Sequence, residues 1–452
     1  MFKCLKRRAK IRAFLLLTAF AVASLFSACA SPISESSRHR PSTDDGWSSN
    51  AKEINMLCAG GVQAVKDAML TFEENTGIKV NLTEIAFSDL PTKMLSQFAA
   101  GNVDYDITLT WNATVAQWGS AGYLEDITDR VSKELKDDLN PLVNDVSYFN
   151  GRLYAIPRLL SFQMMWYNKA MFKDAGLDPE KPPKTWEEFK DACTKLTRDT
   201  NKDGTPDTYA LTMPFGSQFG VLNPYSMALF LNGGDWFDAD YNLLFDNEAG
   251  LAAVKQWREL FDMGVMNPDV VSIPDNWTNM QAFAQGNAAI CFAWPNTYMH
   301  CQNPEISAMK KEDISWSTIP AVSKKTATVC GSESYAITAA SKRKDSALKF
   351  IEYIASVEVQ EAIAKQSFFP PVRMSMATNS TVLEVMPFLD TVNEQGKGFS
   401  GSLAAPFTDE IQDKFMSKIA EAYTGKMDPE QAFSEGITEV KKIVETYKAA
   451  KK

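Results

Sequence analysis

Strand and helix patterns alternate along the chain after its first fifty residues. EINMLCA (53–59) predicts a buried strand, and apolar residues at helical spacing follow over residues 64–72. The order repeats through IKVNLTEI (78–85), a second helical stripe over 90–98 and YDITLTW (105–111). Strand, helix, strand, helix, strand predicts an open, mostly parallel α/β sheet with helices on both faces.

The ends of these strands are the places where a ligand is expected. In open α/β sheets, ligands bind outside the carboxyl ends of the strands. Here those ends are Gly60-Gly61, Ser88-Asp89 and Trp111-Asn112. The whole chain has 452 residues, which exceeds one ordinary core, so a second lobe is expected beside the first.

The first 28 residues have the features of a secretory signal. Six basic residues and no acidic one precede the uncharged run 13–28, which is shorter than the roughly 20 residues that a membrane-spanning helix needs. Phe26-Ser27-Ala28-Cys29 resembles the lipobox of bacterial lipoproteins, although Phe26 stands where leucine is usual. The pattern predicts a signal peptide over 1–28 and a lipidated Cys29. An ordinary signal peptide cleaved near Ala28 is the alternative.

A polar segment follows that cysteine. Residues 30–50 contain seven serines and two prolines, which predicts a flexible linker over 29–51. Without the six leader cations, 40 basic residues stand against 56 acidic ones, a net charge of −16. This excess of negative charge argues against nucleic acid or an anionic membrane face as a partner.

The chain has few of the cysteines and histidines that build metal sites and many catalytic sites. Five cysteines remain beyond Cys4 and Cys29, an odd number without a C-x-x-C motif, which predicts buried thiols rather than a zinc site. A disulfide between Cys291 and Cys301 is left as an alternative. With only two histidines, His39 and His300, a histidine-based catalytic or metal centre is not expected. GKGFSG (396–401) does not follow a convincing strand, so no dinucleotide site is expected there.

Four longer segments resemble a known family. They are YDITLTWNATVAQWGSAGYLEDIT, GRLYAIPRLLSFQMMWYNKAMFKDAGLDPEKPPKTWEEF, FAQGNAAICFAWPNTY and SWSTIPAVSKKTATVCGSESYAITAASKRKDSALKFIEYIAS. In this order and spacing, across about residues 53–447, they resemble the sugar receptors of ABC importers, the maltose-binding-protein-like solute-binding family 1. The resemblance implies a two-lobe periplasmic-binding-protein fold of type II, in which each lobe is a mostly parallel sheet flanked by helices. It also implies a hinge of several crossings.

The lobe boundaries and the function follow from that resemblance. The N-terminal lobe is expected over 52–160 plus 323–356, and the C-terminal lobe over 161–322 plus 357–452. A membrane permease and its ATPase would perform transport, so the chain is expected to be no enzyme and to need no cofactor. We expect a monomeric receptor in the cell envelope that binds a mono- or oligosaccharide. A polyamine or peptide receptor and a surface glycosidase are the alternatives.

A sugar site combines aromatic faces with a few polar groups. Trp111-Asn112 ends a strand, and Trp236 follows two glycines and Asp235. Ser161 and Gln163 lie on the predicted hinge crossing, and Glu333 occupies a turn at a strand end.

The resemblance adds further candidates. Trp294 matches the family tryptophan that stacks on sugar, Asn223 and Tyr225 match a ligand loop, and Arg373 follows a loop that covers the ligand in relatives. The best-known member has acids at the matches of Ser161 and Asn223, so maltose itself is in doubt. The full set of candidates is Trp294, Trp236, Trp111, Asn112, Ser161, Gln163, Asn223, Tyr225, Asp235, Asp89, Glu333 and Arg373.

One acidic loop suggests a structural calcium ion. Within DTNKDGTPD, the residues Asp199, Asn201, Asp203, Thr205 and Asp207 fit positions 1, 3, 5, 7 and 9 of a calcium loop. Ala210 stands at position twelve, where a bidentate Glu belongs, so a cation would need further ligands. The alternative is a tight turn built from Asn, Asp and Gly.

Overall fold

The computed structural model describes residues 46–47, 51–60, 63–323 and 325–450. The predicted signal peptide, Cys29 and most of the predicted linker lie outside them. Gly46 and Trp47 are nevertheless packed on the N-terminal lobe. The indole Nε1 of Trp47 donates to Glu125 at 3.1 Å, and the Arg130 guanidinium lies 4.4 Å from the centre of its ring. The linker prediction, which ran to residue 51, therefore extends too far.

The described residues form eleven strands and sixteen α-helices. The strands are β1 (Glu53–Ala59), β2 (Lys79–Ile85), β3 (Ile107–Thr110), β4 (Tyr148–Phe149), β5 (Arg152–Leu153), β6 (Ala155–Leu159), β7 (Met164–Asn168), β8 (Leu211–Thr212), β9 (Ile290–Ala293), β10 (Ile314–Ser317) and β11 (Glu333–Ile337). The helices are α1 (Gln63–Thr76), α2 (Leu90–Ala100), α3 (Asn112–Ser120), α4 (Lys133–Asp138), α5 (Lys169–Asp174), α6 (Trp186–Leu196), α7 (Gln218–Leu231), α8 (Glu248–Asp262), α9 (Asn276–Ala284), α10 (Thr297–Gln302), α11 (Lys344–Ile354), α12 (Val357–Ser367), α13 (Ser380–Val385), α14 (Leu389–Gly396), α15 (Thr408–Tyr423) and α16 (Pro429–Ala450).

The N-terminal lobe is built on a five-stranded sheet in the order β2-β1-β3-β11-β6. Strand β1 pairs in parallel with β2 and β3, and β11 is antiparallel to both of its neighbours. The carboxyl ends of β1, β2, β3 and β6 therefore lie on one edge, together with the start of β11. The alternation of strands and helices that the sequence predicts is confirmed in this sheet.

The C-terminal lobe is built on a four-stranded sheet in the order β10-β7-β9-β8. Strand β7 is antiparallel to β10 and β9, and β8 is parallel to β9. Side chains of β7 alternate between two cores, with Met165 and Tyr167 on one face and Met164 and Trp166 on the other. This period of two places a buried layer on each side of the sheet.

A four-residue crossing joins the two sheets directly. Strand β6 ends at Leu159 and β7 begins at Met164. A second crossing runs from β10 to β11 and pairs with the first, because the N–H of Gly331 donates to the carbonyl of Ser161 at 2.8 Å. A third passes from α12 to α13, and its Pro370 carbonyl accepts the N–H of Leu160 at 3.2 Å. The predicted hinge of several crossings is thus present.

One predicted lobe boundary is wrong. Helix α12 was assigned to the C-terminal lobe, but Val359 and Ile363 belong to the core of the N-terminal lobe. Gln360 also donates to the carbonyl of Arg158 on β6 at 3.0 Å. The N-terminal lobe therefore continues through α12 to about Val372, which also packs in its core.

Local signals fixed several helix ends. Thr185 caps α6 through the N–H of Glu188 at 3.2 Å, and the Glu188 carboxylate accepts the N–H of Thr185 in return, as the predicted capping box requires. Helix α16 begins at Pro429, as expected, and buries Phe433, Ile437, Val440 and Val444 on one face. Within the described chain, none of the helices is both long and apolar enough to cross a membrane.

Candidate functional site

The carboxyl edges of the two sheets face each other across the hinge. Leu159 ends β6 on one edge, and Met164 starts β7 on the edge where β9 ends, with four residues between them. Away from the hinge, Gln117 on α3 donates to Asp409 on α15 at 3.2 Å, so the lobes also meet across this space. The cleft between the two edges is the candidate site.

On the N-terminal side, two aromatic rings follow neighbouring strands. Trp111 directly follows the last residue of β3, and Phe87 lies just beyond the end of β2. Their ring centroids are 4.8 Å apart at an angle of 30°, a stacked arrangement. Asn112 starts α3 at the same place, and its Oδ1 accepts the N–H of Ala113 at 2.7 Å. Phe87 was not among the sequence candidates, although an aromatic residue directly after a strand was a usable signal.

On the C-terminal side, Trp294 follows β9 and covers the second crossing. Its ring lies so close to Gly331 that a Cβ there would be 2.7 Å from the nearest ring carbon. Only glycine leaves space for the indole at this contact. The half-buried ring is thus held at the cleft edge by the hinge backbone.

An ion pair lies in the floor of the N-terminal side. The Arg158 guanidinium is buried and contacts the Glu333 carboxylate, with Nε 2.7 Å from Oε2. It also donates to Tyr335 Oη at 2.9 Å and to the carbonyl of Gly60 at 3.3 Å. Burial is the largest single effect and opposes the charge on Arg158, but Glu333, Tyr335 and Cys58 together raise the pKa of Arg158 well above its usual value. This network joins β1, β6 and β11 where they meet the cleft.

The two candidates on the first crossing are fully buried. Ser161 takes part in the hinge through its backbone, which donates to Ser332 Oγ at 2.9 Å. The Gln163 side chain reaches the C-terminal lobe, where Nε2 donates to Asn276 Oδ1 at 3.1 Å. Asn276, in the first turn of α9, was missed by the sequence analysis.

Three candidates on and after α7 are placed differently from expectation. Trp236 is 1% exposed and packs against Tyr225, Phe245 and Phe415 in the core of the C-terminal lobe. Tyr225 is fully buried, and its hydroxyl donates to the carbonyl of Gly250 at 3.3 Å. The structure thus corrects the prediction for both, because their rings fill a core rather than a cleft. Asn223 is half-buried within α7.

The charged candidates are scattered. Arg373 is paired with Asp138 of α4, with Nε 2.6 Å from Oδ2. Its charge therefore stabilises a contact of the N-terminal lobe, which corrects the prediction that it lies over the ligand. Asp235 is half-buried beside Gly401, and burial raises its pKa. Asp89 is exposed at the start of α2. The structure brings Trp111, Asn112, Trp294, Gln163 and Glu333 to the facing edges.

The acidic loop satisfies its carboxylates internally. Asp199 accepts the N–H of Gly204 at 2.8 Å, and Asp207 accepts the hydroxyl of Thr200 at 2.7 Å. Within the described residues, no three His, Cys, Asp or Glu side chains are grouped to hold a metal ion. The contacts are those of a tight turn, and calcium binding by Asn201, Asp203, Thr205 and their neighbours stays a prediction.

Helix α10 carries an unusual histidine. His300 is 1% exposed, and its ring lies 4.4 Å from the exposed ring of Trp277 on α9. Neither ring nitrogen has a hydrogen-bond partner among the described residues. Burial lowers the pKa of His300 to about 4. Cys301, the next residue, is a free thiol, and so is Cys291. No disulfide joins them, although the sequence had left one possible.

Comparison with known proteins identifies the class of molecule. The model of the family described as bacterial extracellular solute-binding protein matches residues 59–361. The chain therefore belongs to this family, which confirms the family predicted from the sequence and an extracytoplasmic solute-binding role.

Individual relatives carry more specific names. A Sinorhizobium fredii protein, named a probable amino-acid ABC transporter periplasmic-binding protein, is 26% identical over 69% of this chain and 70% of its own length. A maltooligosaccharide ABC transporter solute-binding lipoprotein of Streptococcus pneumoniae is 25% identical over 71% and 72%. A solved ABC transporter solute-binding protein of Thermotoga lettingae, bound with α-D-tagatose, superposes with a TM-score of 0.74 at 25% identity over 87% of this chain and 100% of its own.

The contact between Gly331 and Trp294 leads to a first prediction. Gly331→Ala places a methyl group against three ring carbons at 2.7 to 2.9 Å, so we expect a loss of about 1–3 kcal/mol in the free energy of unfolding from overpacking. Urea unfolding followed by tryptophan fluorescence measures it. Gly401→Ala is the matched control, since its new Cβ lies at an ordinary 3.6 Å from Asp235. Equal midpoints for both variants would contradict the packing described.

His300 leads to a prediction about pH. Its pKa is about 4 in the folded chain and about 6.5 in an unfolded one. The unfolded state therefore binds the proton first as the pH falls. The contribution of neutral His300 to the free energy of unfolding is complete well above pH 6.5. It is lost as the pH falls to about 4, which lowers the free energy of unfolding by about 3 kcal/mol. The free energy of unfolding of His300→Gln should decrease less than that of the wild type over this range. Parallel curves would show that His300 is not buried in its neutral form.

Proposed function

We propose that this protein is the sugar receptor of an ABC importer and binds a mono- or oligosaccharide in the cleft between its lobes. The observation that carries the proposal is Trp294, an indole fixed on Gly331 at the edge where the lobes face each other. Apolar C–H faces of a sugar stack on such a ring. Phe87 and Trp111 supply aromatic surface on the opposite side. The maltooligosaccharide and tagatose ligands in the names of two relatives are of the same chemical class.

An amino acid or polyamine is the competing ligand. An amino acid needs a cation for its carboxylate, and a polyamine needs carboxylates for its ammonium groups. Arg158 directs its donors to Glu333, Tyr335 and the end of β1, so its charge is already neutralised. The same ion pair neutralises Glu333. The charges nearest the cleft floor thus cancel, and a neutral ligand fits better.

The delivery of the ligand completes the proposal. The receptor acts as a monomer and presents the sugar to a membrane permease, and it catalyses no reaction. A ligand that contacts both lobes shifts the equilibrium toward the closed form by its differential affinity. The contact between Gln117 and Asp409 then belongs to the closed form, because it joins α3 of one lobe to α15 of the other.

Binding is tested with a panel of sugars and polyols, and with amino acids and polyamines as competitors. A bound sugar at 100 times its Kd should raise the free energy of unfolding by about 2.7 kcal/mol. We expect Trp294→Ala to weaken binding by about 1–3 kcal/mol, or about 5- to 150-fold, because a stacking face is lost. Calorimetric titration measures the affinity.

Trp236→Phe is the matched control for Trp294→Ala. It alters a core indole of the same lobe, so it should lower the melting temperature and leave the affinity unchanged. If amino acids or polyamines stabilise the protein and no sugar does, the sugar proposal is wrong. If a sugar binds and Trp294→Ala retains the full affinity, Trp294 does not contact the ligand.

We also propose that Cys29 is lipidated and anchors the receptor to the membrane. The support is the Phe26-Ser27-Ala28-Cys29 motif after an uncharged run, together with the lipoprotein named among the relatives. In a bacterial host fed labelled palmitate, the wild type should carry label and sediment with membranes. Cys29→Ser should lose both properties. An unlabelled wild type released by cell fractionation would instead support an ordinary signal peptide.

A further inference from the structure

Buried polar atoms without partners gather around the first turn of α9. Gln163 Oε1 and Asn279 Nδ2 are both buried and have no hydrogen-bond partner among the described residues. Both side chains are 0% exposed. Asn296 Oδ1, two residues beyond Trp294, is buried and unpartnered in the same way. Buried polar groups are nearly always hydrogen-bonded, so such a concentration calls for a partner.

The remaining atoms of these side chains are held in place. Gln163 Nε2 donates to Asn276 Oδ1 at 3.1 Å, and Thr212 Oγ1 donates to Asn279 Oδ1 at 2.9 Å. Asn276 and Asn279 are three residues apart on α9 and therefore share one face of the helix. The bonds link α9 to the start of β7 and the end of β8. Gln163 and Asn279 are thus each oriented by one bond and keep one polar atom for another group.

The topology places this cluster at the cleft. Helix α9 is followed by β9 after a short turn, so it returns along the sheet and its first turn lies at the carboxyl end of β9. Trp294 follows β9 at that same end. Gln163 precedes β7, which is antiparallel to β9 and therefore starts at this edge. The cluster and the stacking indole thus share one edge of the C-terminal sheet.

We propose that Gln163, Asn276 and Asn279 form a subsite that takes one hydroxyl group of the ligand. A hydroxyl group can both donate and accept, so its chemistry matches the Gln163 Oε1 acceptor and the Asn279 Nδ2 donor. An ammonium group has no acceptor for the Asn279 Nδ2 donor. A carboxylate has no donor for the Gln163 Oε1 acceptor. The inference rests on the proposed function and narrows it: the end of the ligand that enters beneath Trp294 is an uncharged hydroxyl group.

The first arm of the test uses the unmodified protein. Once a sugar is found by the panel, its monodeoxy analogues are titrated by calorimetry. One analogue should bind at least about tenfold more weakly than the parent, because it leaves buried polar groups unpaired. This arm needs no variant, so it can overturn the subsite even if a variant fails to fold. Equal affinities for the parent and every monodeoxy analogue overturn the subsite.

The second arm identifies the residue. Asn279→Asp keeps the acceptor for Thr212 and replaces the free donor with an acceptor. It should weaken the parent sugar at least about tenfold and should no longer distinguish the analogue that the wild type rejects. Gln256→Glu is the matched control, because Gln256 Nε2 is a buried, unpartnered amide nitrogen and its Oε1 is held by Asn232. It should reduce stability without changing affinity.

The outcomes separate the two proposals. If no sugar binds the wild type, the proposed function fails and the subsite fails with it. If a sugar binds, but Asn279→Asp binds the parent and the analogues as the wild type does, the receptor function stands and the subsite is overturned. A wild type that rejects one analogue, with loss of that rejection in Asn279→Asp only, supports the subsite.

Discussion

The short crossing between β6 and β7 constrains the whole arrangement. Five Cα steps from Leu159 to Met164 span at most roughly 17 Å, so the edge where β6 ends must lie near the edge where β7 begins. Because β7 runs against β9, the carboxyl end of β9 shares that edge. Trp294 is thereby placed on Gly331, and Gln163 is placed within reach of Asn276. The contact between Trp294 and Gly331 depends on this crossing, because the N–H of Gly331 is bonded to Ser161 within it.

A buried charge gives the N-terminal side its rigidity. The Arg158 guanidinium bonds to Glu333 and Tyr335 on β11 and to the carbonyl of Gly60 after β1. Removing either charged partner would leave the other buried and unpaired, which is costly. The pair therefore fixes three strand ends relative to one another. Because its charges cancel, it does so without presenting a net charge to the cleft.

The alternation of strands and helices in the N-terminal sheet and several helix ends could be predicted well from the sequence, because they depend on local periodicity and capping. Thr185 and Glu188 are three residues apart, so their mutual bonds can be expected from the sequence. The domain boundary near residue 356 was wrong because α11 and α12 are separated by two residues, and only packing against α1 and β6 assigns α12 to the N-terminal lobe.

Site residues were harder to predict for a physical reason. Trp236 and Trp294 both follow a local signal for a strand or loop end, yet Trp236 is enclosed by aromatic residues from α7 and α15 and from Phe245. That enclosure depends on residues almost two hundred positions apart. Asn276 and Asn279 escaped notice because amides on a helix are ordinary. A usable signal existed, since Asn279 lies on the helix face that buries Met280 and Phe283.

The chemistry of the cleft follows from what surrounds it. Aromatic faces on both sides favour a ligand with flat apolar surfaces, and the neutralised ion pair between Arg158 and Glu333 gives no advantage to a charged one. Amides differ from carboxylates here, because they can donate and accept without adding charge. With the proposed subsite of Gln163, Asn276 and Asn279, the aromatic rings and the amides would together discriminate between ligands by hydroxyl position rather than by charge. In such a site, a missing hydroxyl is penalised more strongly than an added methylene, since it leaves buried amides unpaired.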